Sequence, residues 1–177
     1  MIIRDAAYAD SPDLARLQVD SYRSAYAGIL PQEYLDRFTY EEQTLDWQEL
    51  LAGPKEFILL VAEREIGGLA GYALGHRGET AVAGYDSELD GLHVSRQDQR
   101  QGAGRALMRE IAGRLKDSGA NSMVLWVLVQ NPARALYERL GGKLLGRRNI
   151  TLGDGDIVAE EIAYGWEHID DIAGLKG

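Results

Sequence analysis

The sequence predicts an α/β fold built on a mixed β-sheet. Three observations carry that prediction. Apolar runs of strand length alternate with amphipathic stretches of helix length along the 177 residues. Around Gln99–Gly104 the chain passes from a strand (Leu89, Leu92, Val94) through a glycine-containing turn into a helix. Ala103, Leu107, Ile111 and Leu115 recur there at the spacing of one buried helical stripe. Near the end, Lys143–Ile150 and Ile157–Trp166 read as strands joined across Gly153-Asp154-Gly155-Asp156, a hairpin turn. No repeat, low-complexity tract or linker interrupts the chain, so residues 1–177 read as a single domain.

Taken in order, Ile2 and Ile3 open a short strand. Ser11-Pro12 is a helix start, with serine as cap and proline in the first turn. Leu14, Leu17 and Ser21, with Ala15, Val19 and Tyr22, give that helix its face, and it should end near Gly28. A short helix over Gln32–Arg37 follows Pro31, and Thr39-x-x-Glu42 is a capping box for a helix running to Ala52. Phe57–Glu63 and Leu69–Gly75 flank the turn Glu65-Ile66-Gly67-Gly68 as a strand pair. After a loop over Arg77–Gly84, a third strand from Tyr85 to Val94 leads into the glycine turn. Beyond the central helix, Ser122–Val129 is a buried strand. Asn131 as cap, Pro132 at the first helical position and Gly141 past the end delimit one more helix. Ala133, Leu136 and Leu140 face its core side, with Tyr137 beside them; Met108 and Met123 are core residues.

Composition bounds the function. Hydrophobic residues make up 45% and charged residues 27%, ordinary for a globular protein. With no cysteine there is no disulfide framework, thiolate metal site or cysteine nucleophile. The three histidines, His76, His93 and His168, share no ligand spacing, and no metal site is expected. The N-terminus lacks the apolar core of a signal peptide, and no run approaches membrane-spanning length, so the expectation is a cytoplasmic protein with no membrane partner. A net charge of −9 argues against nucleic acid as partner and suits a cationic or amine substrate.

One segment runs against that charge. Between Arg96 and Lys116 lie six basic residues (Arg96, Arg100, Arg105, Arg109, Arg114, Lys116) and only two acids, Asp98 and Glu110. A glycine turn opening a helix is a ready phosphate site, so an anion is expected here, although each arginine could equally be a solvated helix flank. The spacing excludes two phosphate loops. A dinucleotide fingerprint needs glycine or alanine where Leu107 stands, and a P-loop needs serine or threonine after Gly142-Lys143, where Leu144 stands. Gln99-x-x-Gly102-x-Gly104 instead resembles the pyrophosphate loop of the GNAT superfamily, the acetyl-CoA-dependent N-acetyltransferases. A second block strengthens the resemblance. Leu125-Trp126-Val127, then Asn131-Pro132, Tyr137-Glu138 and Leu140-Gly141, looks like the other half of that family's cofactor site, Asn131 falling twenty-nine residues after Gly102. Two departures stand out: many relatives carry glutamate at the position of Val129, and most carry phenylalanine at that of Gly142.

The resemblance implies a central, mostly antiparallel mixed sheet with helices on both faces, and acetyl-CoA as co-substrate. Main-chain groups of Leu92, His93 and Val94 would pair with the pantetheine arm. Gln99, Arg100, Gln101, Gly102, Ala103, Gly104 and Arg105 would surround the phosphates, with Asn131 completing the cofactor set. Tyr137 occupies the position of the catalytic tyrosine, a phenol of pKa about 10 able to protonate a leaving thiolate of about 8.5; it could also be a core tyrosine. Glu88 matches the base glutamate of the histone-acetyltransferase branch, and Asp90, two residues on and on the same strand face, is the runner-up. Both could instead be solvated carboxylates or a lure for a cation. Tyr22, Tyr26 and Trp126 would wall the acceptor site, the two tyrosines also fitting a half-buried helix face. The expected acceptor is a primary amine, on a small molecule or a peptide N-terminus, reached by direct attack on the thioester. A sensor that binds acyl-CoA without turnover, transfer of a longer acyl group, and a homodimeric assembly are left open.

Overall fold

The computed structural model describes residues 1–175. Its strands are β1 (Ile2–Asp5), β2 (Ile58–Glu63), β3 (Leu69–Arg77), β4 (Ser87–Val94), β5 (Met123–Leu128), β6 (Lys143–Leu152) and β7 (Ile157–Trp166). The helices are α1 (Ser11–Ala25), α2 (Gln32–Asp36), α3 (Tyr40–Ala52), α4 (Ala103–Asp117), α5 (Arg134–Arg139) and α6 (Asp170–Ala173). The seven strands form one sheet in the order β1-β2-β3-β4-β5-β7-β6. Every neighbouring pair is antiparallel except β4 and β5. The expected mixed, mostly antiparallel α/β architecture is what the chain adopts. No helix of the described residues is long and apolar enough to cross a membrane.

Alternation along the strands sends side chains to two cores. On β2, Leu60 and Ala62 join the cluster under α4, whereas Leu59 and Val61 join the cluster under α1 and α3. The α4 stripe works as its periodicity predicts: Leu107, Met108, Ile111 and Leu115 are fully buried, each contributing on the order of 2 kcal/mol. Leu14, Ala15, Leu17 and Trp47 cover the opposite face. A third cluster, Leu30, Leu35 and Leu128, seats α2 against the tip of the β6–β7 hairpin.

Several boundaries differ from the sequence reading, for local reasons. Ser11 is not the cap of α1 but its first residue. A 3₁₀ turn over Tyr8–Asp10 runs straight into the helix, and the Ser11 hydroxyl donates to the Tyr8 carbonyl at 2.7 Å. The helix stops at Ala25 rather than Gly28, because the Ile29 and Leu30 N–H groups both turn back to the Tyr26 carbonyl. Thr39 caps α3 by accepting from the Glu42 N–H at 3.2 Å, and its hydroxyl meets the Glu42 carboxylate instead of leaving that carboxylate to bond the backbone. The helix α6 had no clear signal. Gly142, where most relatives would place phenylalanine, does not leave a void: a Cβ there would lie 2.8 Å from the Trp166 ring, which occupies the space.

The parallel seam is the feature that positions a site. β4 and β5 pair only at Glu88 and Val124. Past that point Leu89–Val94 and Leu125–Leu128 have no ladder partners across the seam, so the two strands part like a wedge. A clasp holds the closed end. The Asp86 carboxylate accepts from the Asn121 N–H at 3.0 Å, the Ser122 N–H at 2.9 Å and the Ser122 hydroxyl at 2.8 Å.

Candidate active site

The loop at the open end of the wedge is built by backbone geometry. Ser95 N–H bonds the Ala70 carbonyl at 2.8 Å, and a 3₁₀ turn over Arg96–Asp98 follows. Gln99 and Gln101 spend their side-chain amides on the loop itself, donating to the Val94 carbonyl at 3.2 Å and the Gln97 carbonyl at 2.7 Å. Arg100 then takes φ 62°, the one non-glycine residue at positive φ among the described residues, and Gly102 takes φ 89° directly before α4. The first bond inside the helix runs from Ala106 N–H to the Gly102 carbonyl at 2.9 Å. The N–H groups of Ala103 and Gly104, which open the helix, therefore have no helical acceptors. Gly104 lets α5 approach, since a Cβ would lie 3.2 Å from Leu136.

Charge around this loop is more selective than the sequence suggested. Arg100 and Arg105 are exposed at the opening turn of α4. Asp98, the acid nearest the loop, is engaged by Arg64 at 2.7 Å, and that guanidinium holds its carboxyl below the usual range. Arg114 and Lys116 do not belong to the cluster. They sit in the last turn of α4, Arg114 paired with Glu110 and Asp5 and Lys116 with Asp170.

Beyond β5, Tyr137 projects from α5 and packs into the core cluster under α4. It is 5% exposed, and its hydroxyl has no hydrogen-bond partner among the described residues. Burial, and to a lesser extent the neighbouring Tyr26, push its pKa well above the ordinary phenol value. Asn131 ties this helix to α1: its Oδ1 accepts from the Ala133 N–H at 2.8 Å and its Nδ2 donates to the Tyr26 hydroxyl at 3.2 Å. The rings continue from there. Tyr26 packs edge-on to Tyr22 at 5.1 Å, Tyr22 stacks on His93 at 5.4 Å, and His93 stacks on Tyr72 at 4.9 Å. Enclosed between two rings, the His93 imidazole has its pKa driven down to about 4 and stays neutral. Leu92 and Val94, its neighbours on β4, turn to the α4 face of the sheet.

The carboxylates stand further down β4. The β3–β4 register steps from Leu74–Gly91 to Gly75–Leu89, so Asp90 is the extra residue of a bulge. Its carboxylate meets His76 Nδ1 at 2.8 Å, which raises the histidine's pKa. Glu88 pairs in register with His76 and is half-buried; burial first, then Asp90, raises its pKa above the carboxylate norm. A cleft of about 650 Å³, lined by Glu56, Phe57, Leu74, His76, Arg77 and Asp90, opens beside this group. Trp126 lies under the Arg148 guanidinium at 4.0 Å, with Arg148 paired to Glu161 at 2.8 Å, and the Trp126 indole N–H is buried without a partner among the described residues.

The structure thus groups Tyr137, Asn131, Tyr26 and Tyr22, and places Arg148 where it acts on both Trp126 and Glu88. His76, Arg148 and Glu161 were not legible as site residues. His76 is set opposite Glu88 only by the β3–β4 pairing. Arg148 and Glu161 could have been found by counting back equally from the Gly153–Asp156 turn, which puts them opposite each other.

Comparison with known proteins agrees with this geometry. The acetyltransferase (GNAT) family profile matches residues 17–142. The uncharacterized N-acetyltransferase YuaI of Bacillus subtilis (strain 168) is 33% identical over 175 residues, covering 98% of this chain and 95% of that protein. Among solved structures, YncA from Salmonella typhimurium with acetyl-CoA superposes with a TM-score of 0.68 at 20% identity, over 96% of this chain and 94% of that one. PaiA N-acetyltransferase from Thermoplasma acidophilum, in complex with coenzyme A, gives 0.62 at 20% identity, over 90% and 96%. With a matching profile over most of its length and a relative similar end to end, the chain belongs to the acetyltransferase (GNAT) family.

Proposed function

We propose that this protein transfers the acetyl group of acetyl-CoA to a primary amine, by direct attack of the amine on the thioester. The observation that carries the reading is the wedge between β4 and β5, with the opening turn of α4 at its mouth and the buried phenol of Tyr137 on α5, beyond β5. The donor set fits the nucleotide. Ala103 and Gly104 offer N–H groups at a helix N-terminus, where the helix dipole favours anions, and Arg100 and Arg105 add charge. Along the wedge, main-chain groups of Leu92–Val94 offer an extended arm the bonds of an added strand.

The roles at the reacting end follow from the environments. Burial keeps Tyr137 protonated across the working pH range, so its unpartnered hydroxyl is available to donate to the departing sulfur. Its raised pKa makes it a weaker acid than a free phenol in the ligand-free site. Hydrogen-bond donation to developing negative charge is therefore its first contribution, with proton transfer following as the thiolate forms. Glu88 is the base: burial and Asp90 make its carboxylate more basic than usual, while Asp90 is occupied by His76. Tyr22, Tyr26 and Trp126 supply apolar faces around the incoming amine.

The test is thiol release from acetyl-CoA with a panel of polyamines, amino acids, aminoglycosides and peptides, with products read by mass spectrometry. Release that depends on one class of amine is the expected result, and Glu88→Gln should slow it most at low pH, where removing the amine proton is hardest. Coenzyme binding without release for any amine would make the protein a sensor.

A further inference from the structure

Tyr137 rides on a helix that cannot hold itself. α5 has six residues, and an isolated helix of that length does not persist in water. Its position is imposed by what grips it, and the grip on its outer side is ionic. Arg134 Nη1 donates to the Val129 carbonyl just past β5 at 2.7 Å, and Arg134 Nε donates to the Tyr164 hydroxyl on β7 at 3.0 Å. The Tyr164 hydroxyl in turn donates to Glu138, the residue after Tyr137. Arg134 and Glu138 themselves approach only to 3.5 Å, in the order that does least for a helix, so their value lies in converging on Tyr164. Tyr164 is 2% exposed, and its ring lies 6.1 Å from that of Tyr137. Since no hydrogen bond within the described residues holds the Tyr137 hydroxyl, the placement of the helix alone decides where that oxygen sits.

We propose that Arg134, Tyr164 and Glu138 form a brace that sets the position of the Tyr137 hydroxyl over the reacting sulfur. They are positioning residues, and the inference rests on Tyr137 being the donor of the proposed reaction. A catalytic group displaced by about 1 Å can lose about 10²-fold in rate, so a loosened α5 would be costly without touching substrate affinity.

The test is a mutant cycle in the acetyl-transfer assay. Tyr164→Phe keeps the ring and removes the bridging hydroxyl; Arg134→Lys keeps the charge and loses the fork. Each should lower kcat by about tenfold or more while KM for acetyl-CoA stays within about twofold. On a Tyr137→Phe background neither should lower kcat further, because a brace has nothing left to place. Losses that multiply in the double variants overturn the brace and leave Tyr137 as donor. So does a slow Tyr137→Phe beside a Tyr164→Phe enzyme of full kcat and lowered melting temperature. A Tyr137→Phe enzyme with full kcat removes both readings.

Discussion

Arg100 stores strain in the loop proposed to bind the anion. A side chain at φ 62° costs about 1 kcal/mol or more relative to glycine, and it persists because the flanking loop fixes it. Arg100→Gly should therefore raise the melting temperature by about 2–4 °C while weakening coenzyme A binding, since a cation leaves the loop. Calorimetry beside a melting curve reads the two opposite signs; a variant that moves both the same way would show that the strain is not where the backbone puts it. Tyr137→Phe separates chemistry from packing at the same scale. It should cost about 10²–10⁴-fold in kcat with acetyl-CoA affinity nearly unchanged, as steady-state kinetics with a competent amine would show. The second block marked Tyr137 by letter, and the glycine loop enclosed Arg100 at an open position. They gave neither the left-handed backbone of Arg100 nor the burial that raises the Tyr137 pKa, because each is fixed by neighbours distant in sequence.

At the scale of elements, the clasp on Asp86 sets where β4 and β5 part. Partial burial disfavours the charged carboxyl, but its bonds from Ser122 and Asn121 prevail and hold its pKa at about 2, against an unfolded value of 3.8. The folded value is the lower one, so the clasp stabilises fully above pH 3.8 and that contribution disappears as pH falls toward 2. Asp86→Asn should lower the melting temperature at neutral pH and make the stability curve flatter between those limits; equal acid limbs in both proteins would exclude the clasp as their source. The first five helices and the β6–β7 hairpin were legible because 3.6-residue periodicity, the Thr39 cap and a Gly-Asp turn are local signals, although α1 is capped at Asp10 rather than Ser11 and α5 at Ala133 rather than Asn131. The bulge at Asp90, the order β5-β7-β6 and the clasp were not, since each depends on pairing between segments far apart in the chain.

For the whole molecule, the net charge of −9 and the cationic α4 mouth suit the two substrates of opposite sign that the proposed reaction needs. With Glu88, Asp90 and Glu161 near the acceptor side, KM for a dicationic amine should rise with salt, as screening shortens to about 8 Å at physiological ionic strength. A salt-independent KM for such an amine, measured at saturating acetyl-CoA, would remove charge from acceptor recognition. The sheet as a whole was legible because every apolar run had strand length and each helix one apolar face. The proposed acceptor side was less so: Tyr22, Tyr26 and Trp126 come from α1, the turn after it and β5, which meet only after folding.

Gly142 and Trp166 share a single volume. A benzyl group added at Gly142 has nowhere to go while the indole is there, 2.8 Å from its first carbon. The indole also donates to the Leu140 carbonyl at 2.8 Å and so closes the end of α5. The two positions are therefore free to change only as a pair, exchanging bulk between a loop and the last residue of a strand. Gly142→Phe alone should destabilise by about 1–3 kcal/mol through overpacking, and adding Trp166→Ala should recover part of that loss even though Trp166→Ala is itself destabilising. Denaturant unfolding of the two singles and the double measures this exchange, and simple addition of the two losses would show that the volumes are separate.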